Sequence, residues 1–346
     1  MRSWRQKIVG GALALCAALP AWPASGPGGQ PPGRSVRMTT LPDGYRIAYR
    51  WTDAKDVVRS IQLEIPRRAL EESEHALGFP IEDLRRHLLE AEARIRRQMG
   101  LAAIDIARET ASGASGPGGF QVSQAPAKDF EIAFRPARPA GEAEVADLVA
   151  AFERRWQASH KEVQARLRGE LRKYAGAHGL RLTPGGLAVD YQRLVKVSAD
   201  RLEPLADAFR RAFGPSRSEL LAALHSFVLA IPYRPIPPVD DGRFRSGLDV
   251  PLRVLVDDNG DCDSKSVLFA ALWLKLSHCR VILIRVPEHM LAGVAVPFVR
   301  GSTLTIQSIS YALVELSCGG PARPGEISSY TAAALARGDY RYMIVS

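Results

Sequence analysis

The chain has 346 residues, 46% of them hydrophobic and 24% charged, which excludes wholesale disorder, a collagen-like repeat and a multi-span membrane protein. This length corresponds to about two domains, and four cysteines are too few for a disulfide-dependent scaffold. The formal net charge of +9 is unevenly placed, because residues 1–24 hold three cations and no acid. The remaining cations are scattered among acidic residues and form no basic block interleaved with aromatic residues, as nucleic-acid binding would require. We therefore expect a globular protein without a nucleic-acid partner.

Residues 1–24 have the composition of a secretory signal peptide. Arg2, Arg5 and Lys7 precede an apolar run at 8–19, and prolines and small residues follow it. The run is too short to cross a bilayer as a stable helix. The richness in Ala, Arg, Gly and Pro is typical of a GC-rich bacterium, so the sequence predicts export to the periplasm or cell envelope. Membrane attachment is expected only through an uncleaved signal or through lipidation, which the large residue before Cys16 disfavours.

A flexible leader and a hairpin are predicted next. Residues 25–36 are rich in Gly and Pro, which is typical of a flexible leader. Apolar residues then alternate with polar ones in two runs, 45–51 and 61–65. Because this period places one face of a strand in the core, we expect the two runs to pair as a hairpin.

The rest of the first half is predicted to alternate helices and strands. Apolar residues recur at helical spacing over about 80–107 and again over about 142–174. A strand is expected at 130–134, and a glycine-turned hairpin at 179–196. We therefore predict a separate α+β domain at 37–200, and this domain carries no chemical motif.

A second domain, at 201–346, is predicted to contain the chemistry. Ser216 and Glu219 have the spacing of a capping box before an apolar helix that ends ahead of Pro232. After a loop rich in Pro and Gly, Gly260 and Asp261 precede an apolar helical run. A glycine turn followed by a capping aspartate predicts that this helix begins at the next residue, a cysteine.

Cys262 is therefore expected in the first turn of a helix. Unpaired backbone N–H groups and the helix dipole stabilise a thiolate at that position. Asp261 and Asp263 oppose ionisation, because two carboxylates disfavour another negative charge. A cationic partner is needed, and His289 is the histidine that opens an apolar strand able to return past the cysteine helix. We therefore predict a Cys–His pair.

A third group is expected to orient the imidazole ring. Glu315 is the only carboxylate between His289 and Gly325. If a hairpin turns near residue 300, Glu315 lies diagonal to the histidine. If the turn lies nearer Gln307, Glu315 pairs close to Leu291 instead. Either register returns Glu315 to His289, and Gln307 is the alternative orienting residue.

The order of these features resembles the transglutaminase-like superfamily, in its bacterial cysteine-peptidase branch with a papain-like core. Gly-Asp-Cys-Asp at 260–263 opens a helix, His289 opens a strand, and a carboxylate follows on a later strand. The segment at 231–233 also resembles the family's lead-in. The resemblance covers about residues 216–330. The chain departs from the family in having Glu rather than Asp as third residue, farther from the histidine, and in lacking aromatic residues after the histidine.

The resemblance implies a fold and an activity. The expected fold is α+β, with a papain-like core at 201–346 in which the cysteine helix packs on an antiparallel sheet. Cys262 would be the nucleophile, His289 the general base and Glu315 the orienting residue, while Asn259 or Tyr233 would donate to the oxyanion. The expected protein is an exported cysteine peptidase or amidase that cleaves a protein or peptide substrate through a thioester.

Two alternatives remain open from the sequence. The chain could be a transamidating transglutaminase, or a catalytically inactive binding or scaffold protein of the envelope. No cofactor is expected, and no metal either, because Cys262, Cys279 and His289 lack the spacing of zinc ligands.

Overall fold

The computed structural model of the chain describes residues 33–98, 103–113, 120–124, 132–136, 141–316 and 323–345. It contains helices together with antiparallel sheets, so the predicted α+β class is confirmed. The chain divides into two compact units, one of residues 82–174 and the other of the residues up to 81 and from 175 onward. The predicted domain boundary near residue 200 stays a prediction. The predicted signal peptide lies outside the described residues.

The N-terminal strands form a three-stranded antiparallel sheet in the order β1–β2–β3. The predicted hairpin is confirmed, and Ile47, Tyr49 and Trp51 on its inner face are buried. Residues 35 and 36, which were expected in the leader, begin β1 instead, because β2 offers them a pairing edge. The elements here are β1 (Ser35–Leu41), β2 (Gly44–Thr52), β3 (Val58–Pro66), α1 (Arg67–His75) and β4 (Phe79–Pro80).

The unit of residues 82–174 is mainly helical. The predicted helix at 142–174 is confirmed, and its buried residues Leu148, Phe152 and Val163 lie at helical spacing. The single helix predicted at about 80–107 appears as two helices, with residues 99–102 outside the described part. The elements are α2 (Ile81–Gln98), α3 (Ala103–Gly113), β5 (Phe120–Gln124), β6 (Ile132–Pro136) and α4 (Glu142–Ala177).

The segment that follows is more helical than the sequence predicts. The hairpin expected at 179–196 ends early, because the Asp190 side chain accepts a hydrogen bond from Arg193 N and caps a helix. Ser216 is an N-cap as predicted, but its side chain makes no capping bond. The elements are β7 (Leu180–Thr183), β8 (Gly186–Val189), α5 (Tyr191–Arg201), α6 (Glu203–Phe213), α7 (Arg217–Leu229), β9 (Val239–Asp240), β10 (Arg243–Phe244) and α8 (Pro251–Asp257).

The cysteine helix, α9 (Cys262–Ser277), lies in the core of the larger unit. The consecutive residues Val267, Leu268, Phe269 and Ala270 point to different sides of the helix and are all fully buried. A helix that is apolar around its whole circumference needs partners on every side. Helices α5, α7 and α8 supply some of them, and a five-stranded sheet supplies the rest.

The five-stranded antiparallel sheet has the order β13–β14–β12–β11–β15. The two strands predicted after the helix are confirmed as β11 and β12, which pair from Val281 with Val294 to Val286 with His289. The sequence did not predict the C-terminal strand β15 beside β11. The elements are β11 (Val281–Val286), β12 (His289–Val294), β13 (Thr303–Ile306), β14 (Ile309–Val314), α10 (Ser329–Ala336) and β15 (Arg341–Ile344).

Among the residues that the structure describes, no helix combines the length and hydropathy that a bilayer crossing requires.

Candidate active site

Cys262 is the first residue of α9, as the sequence predicts. Asp261 is the N-cap, and its carboxylate accepts a hydrogen bond of 2.8 Å from the backbone N–H of Ser264. Preceding it, Gly260 forms an isolated parallel bridge with Tyr233. The helix therefore begins at the cysteine because the side chain before it satisfies a backbone donor of the first turn.

The sulfur atom of Cys262 lies in a buried and acidic environment. The residue is 8% exposed, and its S–H donates to Oδ1 of Asp263 over 3.5 Å. Burial, Asp263 and Asp261 raise the pKa of the thiol far above its ordinary value, while a hydrogen bond from the backbone of Met290 opposes them. The resting sulfur is therefore a thiol at neutral pH, and a base is needed to make it a nucleophile.

His289 is the first residue of β12, where it pairs with Val286 across the sheet. His289 directly precedes Met290, whose carbonyl accepts a hydrogen bond of 3.2 Å from Ser266 Oγ, one turn after Cys262 on α9. Nε2 of His289 lies 3.4 Å from Oε1 of Glu315, and the side chain is 12% exposed. Within the described part of the chain, no hydrogen bond joins the sulfur to this ring.

Glu315 follows the last residue of β14, and the sheet register delivers it to the histidine. Ala292 pairs with Val314, so the next pair in register is Leu291 with Glu315. This pairing with Leu291 is the one expected for the later turn, but the turn at residues 307 and 308 joins β13 to β14 rather than β12 to β14. Gln307 itself lies in the turn before β14, eight residues from Glu315 and therefore about 26 Å away along an extended strand. It is therefore wrong as the alternative orienting residue.

The carboxylate of Glu315 is surrounded by donors although the residue is only 3% exposed. Its Oε2 accepts a hydrogen bond of 2.7 Å from the backbone N–H of Ser328, and Oε1 accepts one of 3.3 Å from the Thr331 hydroxyl. Burial raises the pKa of Glu315, but the His289 ring and the Ser328 donor outweigh burial and hold the pKa below its ordinary value. The group is an anion at neutral pH and can stabilise an imidazolium.

The two oxyanion candidates have different surroundings. The Asn259 amide donates through Nδ2 to the carbonyl of Asp257 over 2.7 Å, so this donor is directed into its own loop. Tyr233 is brought beside the turn before the cysteine by its backbone bridge to Gly260. The sequence placed neither of them in space, and the structure brings the backbone of Tyr233 to the turn that precedes the cysteine.

Sequence reasoning missed Tyr191, whose hydroxyl donates to Oδ2 of Asp263 over 2.5 Å. Tyr191 opens α5 and belongs to a segment that the sequence predicted as a hairpin. Because 72 residues separate it from Asp263, no local pattern could have revealed the pair.

Two further buried polar residues fix the framework of the site. Nε2 of His225 donates to the backbone carbonyl of Glu315 over 3.0 Å. Burial lowers the pKa of His225 to about 4, so the ring is neutral at pH 7. Lys265, one turn after the cysteine, is fully buried and donates to the carbonyl of Ile231 over 2.8 Å. These bonds tie α7 to the glutamate and tie the cysteine helix to the segment that leads to Tyr233.

In comparisons with known proteins, no family model, no curated protein and no solved structure matches this chain.

Proposed function

We propose that this protein is a thiol-dependent hydrolase, a cysteine peptidase or amidase of transglutaminase-like type that cleaves an amide bond. In this proposal Cys262 is the nucleophile, His289 the general base and Glu315 the residue that orients the imidazole. The larger unit would then contain a papain-like core, in which α9 packs on the antiparallel strands β11, β12 and β14. The substrate would be a protein or peptide.

One observation carries the proposal. Ser266 of α9, one turn after Cys262, donates through Oγ to the Met290 carbonyl over 3.2 Å, while the neighbouring His289 ring lies 3.4 Å from Glu315. The helix that begins at Cys262 thus packs on the strand that begins at His289, which supports a site built from the thiol, the imidazole and the carboxylate.

The contacts support different roles for the two nitrogen atoms of the His289 ring. Because Nε2 of His289 faces Glu315, Nδ1 is the nitrogen that would receive the thiol proton. The thiolate then attacks the carbonyl carbon, and Nδ1 returns the proton to the amine nitrogen as the C–N bond breaks. Water attacks the resulting thioester, giving its proton to Nδ1. The carboxylic acid leaves, and the proton returns to sulfur.

A second candidate, a catalytically inactive binding or scaffold protein, is favoured by a different observation. Burial and two carboxylates raise the pKa of the Cys262 thiol, and no hydrogen bond from this sulfur reaches the His289 ring in the described residues. A relic of an active site would also keep its cysteine protonated and inert.

Hydrolysis is tested with the full chain and a protein extract from a bacterial envelope, by labelling new N-termini for mass spectrometry. We expect wild type and Cys279→Ser to create the same new N-termini, and Cys262→Ala and His289→Ala to create none. Cys279 is the matched control because it is also a free thiol. New N-termini that persist in Cys262→Ala would overturn the proposal.

The same extract also distinguishes hydrolysis from the two alternatives, a transglutaminase and an inactive scaffold. A transglutaminase would attach a dansyl-labelled primary amine to extract proteins, in a reaction that Cys262→Ala abolishes, without creating N-termini. A scaffold would do neither. Export to a bacterial envelope belongs to the proposal as well, and is tested by the N-terminal sequence of the protein recovered from an envelope fraction of an expressing bacterium.

A further inference from the structure

The carboxylate beside the candidate nucleophile has two partners. Oδ1 of Asp263 accepts the S–H of Cys262 over 3.5 Å, and Oδ2 accepts the hydroxyl of Tyr191 over 2.5 Å. Tyr191 is 8% exposed and comes from α5, which packs directly on α9. A buried hydroxyl that donates to one oxygen fixes the orientation of the other oxygen towards the sulfur.

Charged and titratable groups reach the sulfur and its acceptor from every neighbouring element. The start of α9 contributes Asp261 and Asp263, and α5 contributes Tyr191. On the sheet side, Arg285 of β11 exerts an opposing positive charge on Tyr191. From β12 come the His289 ring, which faces Glu315, and the backbone of Met290.

These groups are not balanced around the sulfur. Burial and the two carboxylates favour the protonated thiol, and the Met290 backbone is the group in direct contact that favours the thiolate. Asp263 is also the one side chain that the described structure places in hydrogen-bond contact with the sulfur. The direction of the S–H bond at rest is therefore set by Asp263.

We propose that Asp263 and Tyr191 are positioning residues for Cys262, which accept and direct its hydrogen so that the resting enzyme holds an oriented thiol rather than a thiolate. This inference rests on the proposed function, since it assigns roles around the same nucleophile. It adds that the proton leaves sulfur only in the step in which His289 receives it. The resting site is then protected from oxidation and stray alkylation, because the thiolate is the reactive form.

The proposal predicts that substitutions of Asp263 and Tyr191 shift the pH at which the Cys262 thiolate forms in opposite directions. Asp263→Asn keeps an oxygen for Tyr191 but removes the negative charge beside the sulfur, so the thiolate forms at lower pH. Tyr191→Phe removes the donor that disperses the charge of Asp263, so the thiolate forms at higher pH. A merely structural role would move both variants in the same direction, or only change their stability.

The experiment measures alkylation of Cys262 by iodoacetamide in the full chain between pH 5.5 and 9.5, by peptide mass spectrometry, with Cys279 as internal reference. We expect Asp263→Asn to raise the Cys262 rate at pH 7.5 by about tenfold, equivalent to a downward shift of about one pH unit. We expect Tyr191→Phe to lower it several-fold. Asp339→Asn, which removes an exposed carboxylate, is the matched control and leaves the rate unchanged.

A Cys262 profile that is the same in Asp263→Asn and wild type would overturn the inference, as would a shift to higher pH. If circular dichroism shows that Asp263→Asn does not fold, the inference is tested by Tyr191→Phe alone, in which the alkylation rate of Cys262 is expected to decrease. Alkylation needs no substrate, so this result is independent of the hydrolysis test. Cleavage that depends on Cys262 can be absent while both profile shifts occur, or present without them.

Discussion

The two sides of the candidate site place a buried acidic group, the Cys262 thiol or the Glu315 carboxylate, in opposite electrostatic environments. On the helix side, the carboxylates of Asp261 and Asp263 surround a thiol, and with burial they keep it protonated. On the sheet side, Glu315 receives donors from Ser328 and Thr331 and stays ionised although it is buried. The difference lies in the neighbours, since both groups are largely removed from water. The charge of a buried acidic group at this site therefore depends on the groups within hydrogen-bond distance of it.

Each side also depends on a buried group from a distant part of the chain. The loop before the cysteine is held through Asp258, which forms a buried ion pair with Arg34. The glutamate side is held through His225, which donates to the Glu315 backbone. The first anchor is charged and the second is neutral. Their removal should therefore lower the free energy of unfolding by different amounts and with different pH dependences.

The largest effect is expected from Arg34→Met, which breaks the anchor on the helix side. The Arg34 side chain is 3% exposed, and its guanidinium lies over the rings of Tyr49 and Phe227 at 5.3 and 5.8 Å from their centroids. Burial raises the pKa of Asp258, and Arg34 counteracts this rise. We expect a loss of about 3–5 kcal/mol in the free energy of unfolding, because an uncompensated carboxylate remains buried. Urea unfolding measures the loss.

Two controls make this prediction specific. Arg46→Met removes an exposed pair with Glu64 and should cost less than about 1 kcal/mol. Adding Asp258→Asn to Arg34→Met should recover part of the loss, since the unpaired charge disappears. A double variant no more stable than Arg34→Met would show that packing of the arginine, and not its charge, holds this loop.

A somewhat smaller and pH-dependent effect is expected at the anchor on the sheet side. Burial lowers the pKa of His225 from 6.5 to about 4, so the folded protein binds fewer protons than the unfolded chain in this range. The stability that His225 contributes is present above pH 6.5 and is lost as the pH falls towards 4. The expected loss is about 3 kcal/mol, measured by thermal unfolding at a series of pH values.

His225→Gln keeps a donor for the Glu315 carbonyl but cannot be protonated in this range. We expect it to flatten the pH dependence between pH 6.5 and 4, at the cost of some stability at pH 7. His75→Gln, at an exposed histidine, should leave the curve of the wild type intact. Equal acid sensitivity in His225→Gln and wild type would place the acid-labile group elsewhere.

The smallest expected effect tests whether the charge on the sheet side serves catalysis. Glu315→Gln keeps the shape of the side chain and removes its charge, so an imidazolium at His289 loses its counter-ion. We expect kcat for hydrolysis to fall by about 10- to 100-fold, or about 1.4–2.7 kcal/mol in the activation barrier. The exposed Glu326 gives a matched control, Glu326→Gln. An unchanged kcat in Glu315→Gln would leave Glu315 a purely structural residue.

Glu315 also makes a separate contribution to acid stability. Its pKa in the folded protein lies below the ordinary value of 4.5, so the ionised carboxylate stabilises the fold above that pH. This contribution is lost as the pH falls through the lowered pKa. Glu315→Gln should therefore lose stability at pH 7 and differ less from wild type below pH 4.5, whereas the change expected for His225→Gln lies between pH 6.5 and 4.

Local patterns were sufficient where a short segment decides its own structure. The start of α9 was predictable because Asp261 can satisfy a backbone donor only three residues away. Strands β11 and β12 were predictable because their apolar runs flank a two-residue turn. The return of Glu315 towards His289 was predictable from the strand period, although the sequence did not predict that β13 lies on the far side of β14. In contrast, the hairpin expected at 179–196 was wrong beyond Asp190, since a capping bond there begins α5.

The sequence by itself determined that a cysteine opens a buried helix, that a histidine opens a strand, and that a carboxylate follows a later strand. It also determined the α+β class, through periodicity and caps that act over a few residues. Only the tertiary structure decided the surroundings of the thiol and of the loop before it, because Tyr191 meets Asp263 across 72 residues of chain, and Arg34 meets Asp258 across 224. Such contacts depend on how whole elements pack, and packing is a property of the assembled core rather than of any segment within it.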